Sequence, residues 1–387
     1  MVEFTEEQNM FREAYRKFLE TEIAPHMPRY REEGIVDREC FKKAGDRGFL
    51  MIWPDEKYGG MGDKDFRYEQ IIMEEGIRAG TSGFYCTLHS RLVGPYIDNL
   101  GTEEQKQRFL PKCVSGETIL AVAMTEPGAG SDLAGMRSYV RDEGDHYVLN
   151  GSKTYISNGI NADLVIVAAK VDPENNPHAM VLLLVERGME GFERGRNLDK
   201  MGQPAQDTAE LFFNDVKIPK ENVLGEPGKG FYYLMEGLAE ERLIASVGCV
   251  VTARKAFEMT RQYAMDRKIF GGMLSEQQNT QFKMAEMDTE IEAAEIYVDH
   301  CIELHNQGLL DANKAAKAKL MTNEVEWKML DLGVQLHGGA GYMKEYPISQ
   351  MFLDARINRI LAGSTEVMKY IIGRDIFSQK YRNQVIS

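Results

Sequence analysis

The spacing of apolar residues divides the chain into a helical part, a strand-forming part and a second helical part. In residues 4–23 apolar side chains recur at helical spacing, and similar patterns predict helices over 41–49, 63–77, 82–100 and 103–114. A glycine-rich loop over residues 53–62 separates two of these helices. The N-terminal part, up to about residue 115, is therefore predicted to be all helical.

From about Glu117 the pattern changes to alternating and continuous β-branched runs, which are typical of strands. A hairpin is predicted over 138–150 with its turn at 143–145, and further strands are predicted over 164–171, 180–185 and 209–216. Loops that contain proline and glycine connect these strands. The pattern predicts a small central β domain.

Helical spacing returns near Gly230 and continues to the end of the chain. Two sets of apolar residues recur every three or four positions: Met284, Met287, Ile291, Ala294, Val298 and Cys301, and Ala318, Met321, Val325, Met329, Leu332 and Leu336. Such sets are typical of long helices packed in a bundle. The predicted domains are an N-terminal helical domain over 1–116, a β domain over 117–228 and a helical bundle over 229–387. The fold class is α+β, mostly α.

Composition narrows the class of protein. The chain has 387 residues, 43% hydrophobic and 27% charged, as in an ordinary globular protein, and no apolar run approaches the roughly 18 residues of a membrane span. Its net charge of −14 argues against a nucleic-acid surface. The five cysteines are widely spaced, which predicts reduced thiols. The seven histidines form no cluster, so no metal site is predicted. The acidic N-terminus is unlike a targeting signal, so a bacterial cytoplasm is expected, although a processed mitochondrial matrix form would look the same.

The run from Ala123 to Asp132 is the first candidate binding segment. A predicted strand stops at Pro127-Gly128, after which Gly130 and Ser131 offer backbone N–H groups and a short oxygen to a ligand. An ordinary surface turn is the alternative. A dinucleotide-binding Rossmann motif is excluded because the third glycine is absent and strands do not alternate with helices.

Three segments together resemble the flavin-binding segments of the acyl-CoA dehydrogenases: 125–132, 150–159 and 335–339. The resemblance also includes 58–60 and 267–271, in the same order, and so spans essentially the whole chain. Within the family it is closest to the long-chain enzymes, through 200–202, 206–211 and 230–233.

The resemblance implies an N-terminal helical domain, a central β-barrel or sandwich, and a C-terminal four-helix bundle, with FAD held between the last two. It also implies a homotetramer built as a pair of dimers. The residues implied to contact FAD are Val122, Met124, Thr125, Gly130, Ser131, Tyr155, Ile156, Ser157, Phe270, Ser364 and Glu366. Another set is implied to contact the pyrophosphate and adenine of the neighbouring subunit's FAD: Arg267, Gln278, Gln335, Gly338 and Gly339. Arginine suits phosphate oxygens and a glycine pair allows close backbone approach, but a solvated charge and a helix stop are the simpler interpretations.

Dehydrogenation of an acyl thioester needs a base for the α-proton while a hydride leaves for flavin N5. Many family members place this glutamate in a late Tyr-Glu-Gly-Thr run, where this chain has Ala362. The long-chain and isovaleryl-CoA branches carry it on a bundle helix immediately before an arginine, which here is Glu241-Arg242. Glu241 is therefore predicted to be the base, and Glu240 is predicted to point elsewhere and be solvated. The alternative role for Glu241 is a surface ion pair.

The residues implied to contact the substrate are Ser131, Tyr232, Leu238, Arg242, Ala362 and Gly363. The resemblance implies that the thioester carbonyl accepts hydrogen bonds from the flavin ribityl 2′-hydroxyl and from the backbone N–H of residue 362. Gly94-Pro95 falls inside a predicted helix, where a proline break would widen the acyl pocket. An ordinary helix boundary is the alternative.

The predicted function is FAD-dependent oxidation of a medium- to long-chain acyl-CoA to trans-2-enoyl-CoA in fatty-acid β-oxidation, with electrons passed to an electron-transfer flavoprotein. Alternatives are an enoyl-CoA reductase, a dehydrogenase of branched or polar acyl-CoA, and a flavin-free acyl-CoA-binding scaffold. Ala362 motivates the scaffold, and Glu241 argues against it.

Overall fold

The computed structural model describes residues 3–172, 174–176 and 178–378, which form two compact units. The first unit contains residues 9–200 and 204–237, and the second contains residues 3–8, 201–203 and 238–378. The elements run in the predicted order of helices, strands and helices.

Six helices precede the strands: α1 Glu6–Phe18, α2 Met27–Glu33, α3 Arg38–Gly45, α4 Arg67–Ala79, α5 Gly94–Leu100 and α6 Glu103–Val114. Eight strands follow: β1 Leu120–Ala123, β2 Tyr139–Asp142, β3 His146–Ser157, β4 Leu164–Lys170, β5 Met180–Glu186, β6 Phe192–Asn197, β7 Thr208–Pro219 and β8 Val223–Gly228. The remaining elements are α7 Gly230–Asp266, a hairpin of β9 Lys268–Ile269 and β10 Gly272–Met273, α8 Gln278–Asn306, α9 Ala312–His337, α10 Pro347–Ala355 and α11 Thr365–Ile376.

The sequence patterns missed α2, β6, β8 and the hairpin of β9 and β10, which interrupts the helical stretch predicted from Gly230 to the end of the chain. The two strands of this hairpin have two residues each, too few for a periodic signal. Helix α2 has only seven residues and lies among prolines, so it offers too few turns for a periodic signal. Strands β6 and β8 are the two ends of the sheet order β6-β7-β3-β2-β4-β5-β8. Edge strands expose one backbone edge and tolerate charged residues, glycine and proline, so they lack the apolar pattern of central strands.

The helix predicted over 82–100 begins at Cys86 and is not broken at Gly94-Pro95. A π-helical stretch, Leu88–Val93, leads directly into α5, and Pro95 lies in the first turn of that helix. A second π-helical stretch, Leu19–Ile23, likewise ends just before Ala24-Pro25. Because proline has no N–H to donate, a wider turn placed before it lets the chain continue in helical form.

Strands β4 and β5 are the best buried part of the β domain. Their side chains alternate between two cores: Leu164, Ile166 and Leu182 pack with N-terminal helices, whereas Val165 and Val167 pack with the strands of the sheet itself. Both faces are therefore covered, which explains the continuous apolar runs of these strands. A third core, of the N-terminal helices, surrounds the aromatic residues of α1.

The bundle of the second unit is organised around α9, which contacts α8, α10 and α11. Helix α7 is joined to α8 by Arg254, whose guanidinium lies 2.7 Å from Asp288 and 2.8 Å from Glu295. The predicted apolar set of α8 is buried from Met287 onward. In the middle of α9, four successive polar residues of the buried face are Lys319, Thr322, Asn323 and Glu326. We refer to these four residues as the polar seam of α9.

No helix within the described part of the chain combines the length and the apolar character needed to cross a membrane.

Candidate active site

The loop after β1 forms a tight turn with an open end. Glu126 and Ala129 exchange backbone hydrogen bonds of 2.9 and 3.1 Å across Pro127-Gly128. Beyond the turn Gly130 and Ser131 are exposed, whereas the predicted cofactor contacts before it, Val122, Met124 and Thr125, are half-buried. The segment thus presents backbone groups and small side chains at a surface, as its composition predicted.

An ion pair buried behind this turn fixes it, and no motif in the sequence marked either partner as functional. Lys153 Nζ lies 2.8 Å from Glu126 Oε1 and donates to the carbonyl of Met124 at 3.2 Å. The backbone N–H groups of Arg137 and Ser138 donate to Glu126 at 2.6 and 3.0 Å. Burial by itself raises the pKa of the Glu126 carboxyl, but Lys153 and these donors outweigh it and hold that pKa below its ordinary value.

A bulge in β3 presents Tyr155 beside this loop. Its register with β7 shifts between Lys153 and Ile156, and Tyr155 has a φ of +58°. The Tyr155 side chain is 70% exposed, while Ile156 is buried and Ser157 half-buried. Thr154 N–H donates to the Thr125 carbonyl at 2.9 Å, which ties the bulge to the loop. Bulges commonly re-aim a side chain in this way next to functional sites.

Helix α7 carries the predicted base. Glu241 is only 7% exposed, so it is not the surface ion pair considered as its alternative. The prediction that Glu240 is solvated is wrong, because this residue is half-buried and its Oε2 lies 3.2 Å from Nε2 of His305 at the end of α8. Two adjacent helical residues point about 100° apart, so Glu240 and Glu241 leave α7 in different directions.

Arg242 is also buried, at 4% exposure. Burial lowers the pKa of its guanidinium, and the neighbouring charge of Glu241 opposes that shift. Its Nε has no hydrogen-bond partner within the described residues. A buried guanidinium N–H in this state is a donor available to a bound molecule.

Lys319 of the polar seam brings Glu241 and Ala362 into one neighbourhood. Its ammonium donates to the carbonyls of Leu361 and Gly363, on either side of Ala362. Burial and the positive charge of Arg242 lower the pKa of Lys319 to about 8, against the opposing negative charge of Glu241. The charged side chains of Glu241 and Arg242 on α7 are therefore close enough to Lys319 to change its pKa, and Lys319 in turn holds the segment around Ala362.

The residues predicted to contact the nucleotide part of FAD lie at the ends of long helices in the second unit. Arg267 follows α7 and is exposed, and Phe270, at φ +47°, forms the tip of the β9–β10 hairpin with 97% exposure. Gln278 is the first residue of α8. Tyr263, one turn before Arg267, stacks on the His337 ring with centroids 4.1 Å apart. This contact places the end of α7 beside the end of α9.

The end of α9 offers an open backbone. Gly338 has φ +59° and ψ −135°, a conformation that favours glycine, and no atom lies within 4 Å of where a Cβ would stand on Gly338 or Gly339. Gln335, one turn earlier, is exposed. An exposed glycine pair beside an arginine fits a phosphate-bearing group such as the pyrophosphate of FAD.

The remaining predicted residues are placed as follows. Tyr232, in the first turn of α7, is 60% exposed, and Leu238 on the same helix is half-buried. Ser364 caps α11 by accepting from the Val367 N–H at 3.3 Å, and Glu366 is exposed in the first turn of that helix. The cap gives Ser364 a structural role in addition to its predicted cofactor contact.

Comparison with known proteins identifies the class of protein that carries these features. Three family models match in order: the acyl-CoA dehydrogenase N-terminal domain over residues 5–117, middle domain over 121–216 and C-terminal domain over 228–377. The chain therefore belongs to the acyl-CoA dehydrogenase family, whose members are FAD-dependent oxidoreductases that act on acyl-CoA.

Individual relatives agree with this assignment. The chain is 45% identical to the mitochondrial long-chain specific acyl-CoA dehydrogenase of Mus musculus, over 97% of this chain and 87% of the mouse protein. It is 37% identical to a short-chain specific acyl-CoA dehydrogenase of Clostridium acetobutylicum, over 96% and 98%. The crystal structure of acyl-CoA dehydrogenase from Geobacillus kaustophilus superposes with a TM-score of 0.95 at 48% identity, over 97% and 99%.

Proposed function

We propose that this protein oxidises an acyl-CoA thioester to a trans-2-enoyl-CoA in fatty-acid β-oxidation, with Glu241 as the base that removes the α-proton. The observation that supports the proposal best is the burial of Glu241 on α7. The other position at which family members carry this glutamate, near the end of the chain, holds Ala362 here. A carboxylate shielded from water can act on a weakly acidic C–H, whereas a solvated one is a poor base for it.

The chain's own residues have separable roles in this proposal. Bound FAD supplies the acceptor for the hydride that leaves the β-carbon. The Ala362 N–H donates to the thioester carbonyl and stabilises the negative charge that develops when the α-proton is removed, an effect worth about 3 kcal/mol per donor. Arg242 Nε and the exposed Tyr232 are proposed substrate contacts, together with Ser131, Leu238 and Gly363.

The proposed substrate has a medium to long acyl chain. The greater identity to the mouse long-chain enzyme than to the clostridial short-chain enzyme supports this choice. The proline break predicted at Gly94-Pro95 is absent, because a π-helical turn carries the helix through to this proline. This proline is therefore not preceded by an ordinary helix boundary. The effect of the π-helical turn on the acyl pocket stays a prediction.

The proposed partners are an electron-transfer flavoprotein and three further copies of the chain. Large apolar side chains exposed on the second unit support the homotetramer, among them Phe270, Tyr342 and Phe377, each more than 80% exposed. Five buried free thiols suit a reducing compartment, either a bacterial cytoplasm or a mitochondrial matrix. Sedimentation analysis and electron transfer to a purified electron-transfer flavoprotein test these two interactions.

Anaerobic titration with saturated acyl-CoAs of graded length tests the proposed reaction. We expect the purified protein to be yellow, its flavin absorbance to be bleached, and bleaching to be most complete with medium to long chains. A flavin that acyl-CoA does not bleach, but that enoyl-CoA reoxidises after chemical reduction with dithionite, would favour the reductase. A colourless protein that cannot take up FAD would contradict the proposal and favour the acyl-CoA-binding scaffold.

A further inference from the structure

The polar seam of α9 is an unusual feature of the bundle core. Lys319 and Asn323 are fully buried and Glu326 is 2% exposed, at the positions where apolar residues would otherwise pack. Residues at i, i+4 and i+7 lie on one face of a helix, so these side chains share a direction. Buried polar groups are costly unless each finds a partner, so their partners identify what the seam does.

All three side chains bind the same short segment, residues 358–363. Both carboxylate oxygens of Glu326 accept from Nδ2 of Asn358 at 3.0 Å, and Asn323 Nδ2 donates to the Asn358 carbonyl at 3.0 Å. Lys319 Nζ donates to the Leu361 carbonyl and, at 2.5 Å, to the Gly363 carbonyl. The seam therefore fixes the backbone of this segment from one side.

The hydrogen bond to Leu361 determines where the next N–H points. In a trans peptide the carbonyl oxygen of one residue and the N–H of the next point in opposite directions, and the described residues contain no cis peptide. Because the Leu361 carbonyl points at Lys319, the Ala362 N–H points away from it. Rotating that peptide would break the bond to Lys319.

Ala362 also has an uncommon backbone conformation. Its φ is +51°, in the left-handed region, which is strained for a non-glycine residue. Strained conformations persist where the surroundings hold them. Lys319 supplies two of the holding contacts, one on each side of the residue.

We propose that Lys319 is a positioning residue for the reaction: through the Leu361 and Gly363 carbonyls it aims the Ala362 N–H at the substrate thioester. This inference rests on the proposed function, in which that N–H stabilises the developing charge. Lys319 acts through the backbone of this segment, to which its ammonium donates. Asn323 and Glu326 hold Asn358, which lies about one helical turn before Ala362, and so support the same segment.

Lys319→Met tests the inference, because methionine has a similar length but no donor. We expect FAD content to be kept, kcat to fall about ten- to a hundredfold and KM to change by less than about threefold, since the lost contact matters most in the transition state. Lys255→Met, which removes a half-buried lysine of α7, is the control and should keep kcat within about twofold.

The infrared carbonyl band of bound enoyl-CoA, labelled with ¹³C at the thioester carbon, reports the hydrogen bond without turnover. In the wild type this band should lie below its frequency in free enoyl-CoA, and in Lys319→Met it should move back towards that frequency. If Lys319→Met has the kcat of the wild type and its carbonyl band stays at the wild-type frequency, the inference is overturned and the proposed function is left intact. A wild-type protein that acyl-CoA does not reduce would instead contradict the proposed function.

If Lys319→Met does not fold, Lys319→Gln tests the positioning role of Lys319 instead. Its shorter, neutral amide reaches at most one of the two carbonyls, so kcat should fall several-fold and the band should move part of the way. An enzyme indistinguishable from wild type in both readouts would overturn the inference.

Discussion

Replacing Lys153 by methionine would leave the buried carboxylate of Glu126 without the ammonium group that lies 2.8 Å from it. Lys153 is 1% exposed and Glu126 6% exposed, so water cannot take the place of the lost partner. Removing one member of a buried pair costs about 3–5 kcal/mol. Because Arg137 and Ser138 still donate to Glu126, we expect the lower end, about 3 kcal/mol.

For a unit of this size such a loss lowers the unfolding midpoint by roughly 6–12 °C. Differential scanning calorimetry of the FAD-loaded protein measures it, and flavin retained after gel filtration reports the state of the loop. Lys217→Met removes an exposed lysine of β7 and should change the midpoint by less than about 2 °C.

A double-mutant cycle with Glu126→Gln separates the ion pair from side-chain packing. The double variant should be less destabilised than the sum of the single variants by more than about 1 kcal/mol, because it no longer contains an unpaired buried charge. Additive effects, or a Lys153→Met midpoint within about 2 °C of wild type, would refute the reasoning.

Two further predictions concern the first unit. Burial lowers the pKa of His89 to about 4, so between about pH 6.5 and 4 only the unfolded state is protonated at this residue and stability falls by up to about 3 kcal/mol as the pH falls. Calorimetry should show that the free energy of unfolding depends less on pH in His89→Asn than in the wild type. The same dependence on pH in both proteins would contradict this prediction. A Cβ on Gly94 would stand 2.7 Å from the Met51 methyl and 3.0 Å from the Trp53 ring, so Gly94→Ala should cost about 1–3 kcal/mol by calorimetry and shift acyl preference, whereas Gly373→Ala should not.

The sequence was sufficient for elements with strong periodic patterns. The apolar sets of α8 and α9 and the continuous runs of β4 and β5 marked buried surfaces correctly. It was insufficient for β6, with its two arginines, and β8, with Gly and Pro, because edge strands need no apolar alternation.

For the candidate site, the sequence indicated the ligand-facing segments but not what holds them. Glu126 and Lys153 are 27 positions apart, and only the packing of β3 behind the loop makes them a pair. Lys319, Asn323 and Glu326 did carry a signal, since polar residues at helical spacing continue the buried face of α9 between Ala315 and Met329. The prediction that Glu240 is solvated was wrong because periodicity does not reveal which neighbouring helix a side chain meets.

The central claim, that Glu241 removes the α-proton, is tested most directly by comparing Glu241→Gln with its neighbour Glu240→Gln. Both variants remove one carboxylate from the same turn of α7, and the FAD-loaded proteins are mixed anaerobically with a saturated acyl-CoA while the flavin absorbance is recorded. The account predicts that Glu240→Gln is bleached like the wild type and that Glu241→Gln binds FAD but stays yellow. Bleaching of Glu241→Gln at the wild-type rate would contradict it.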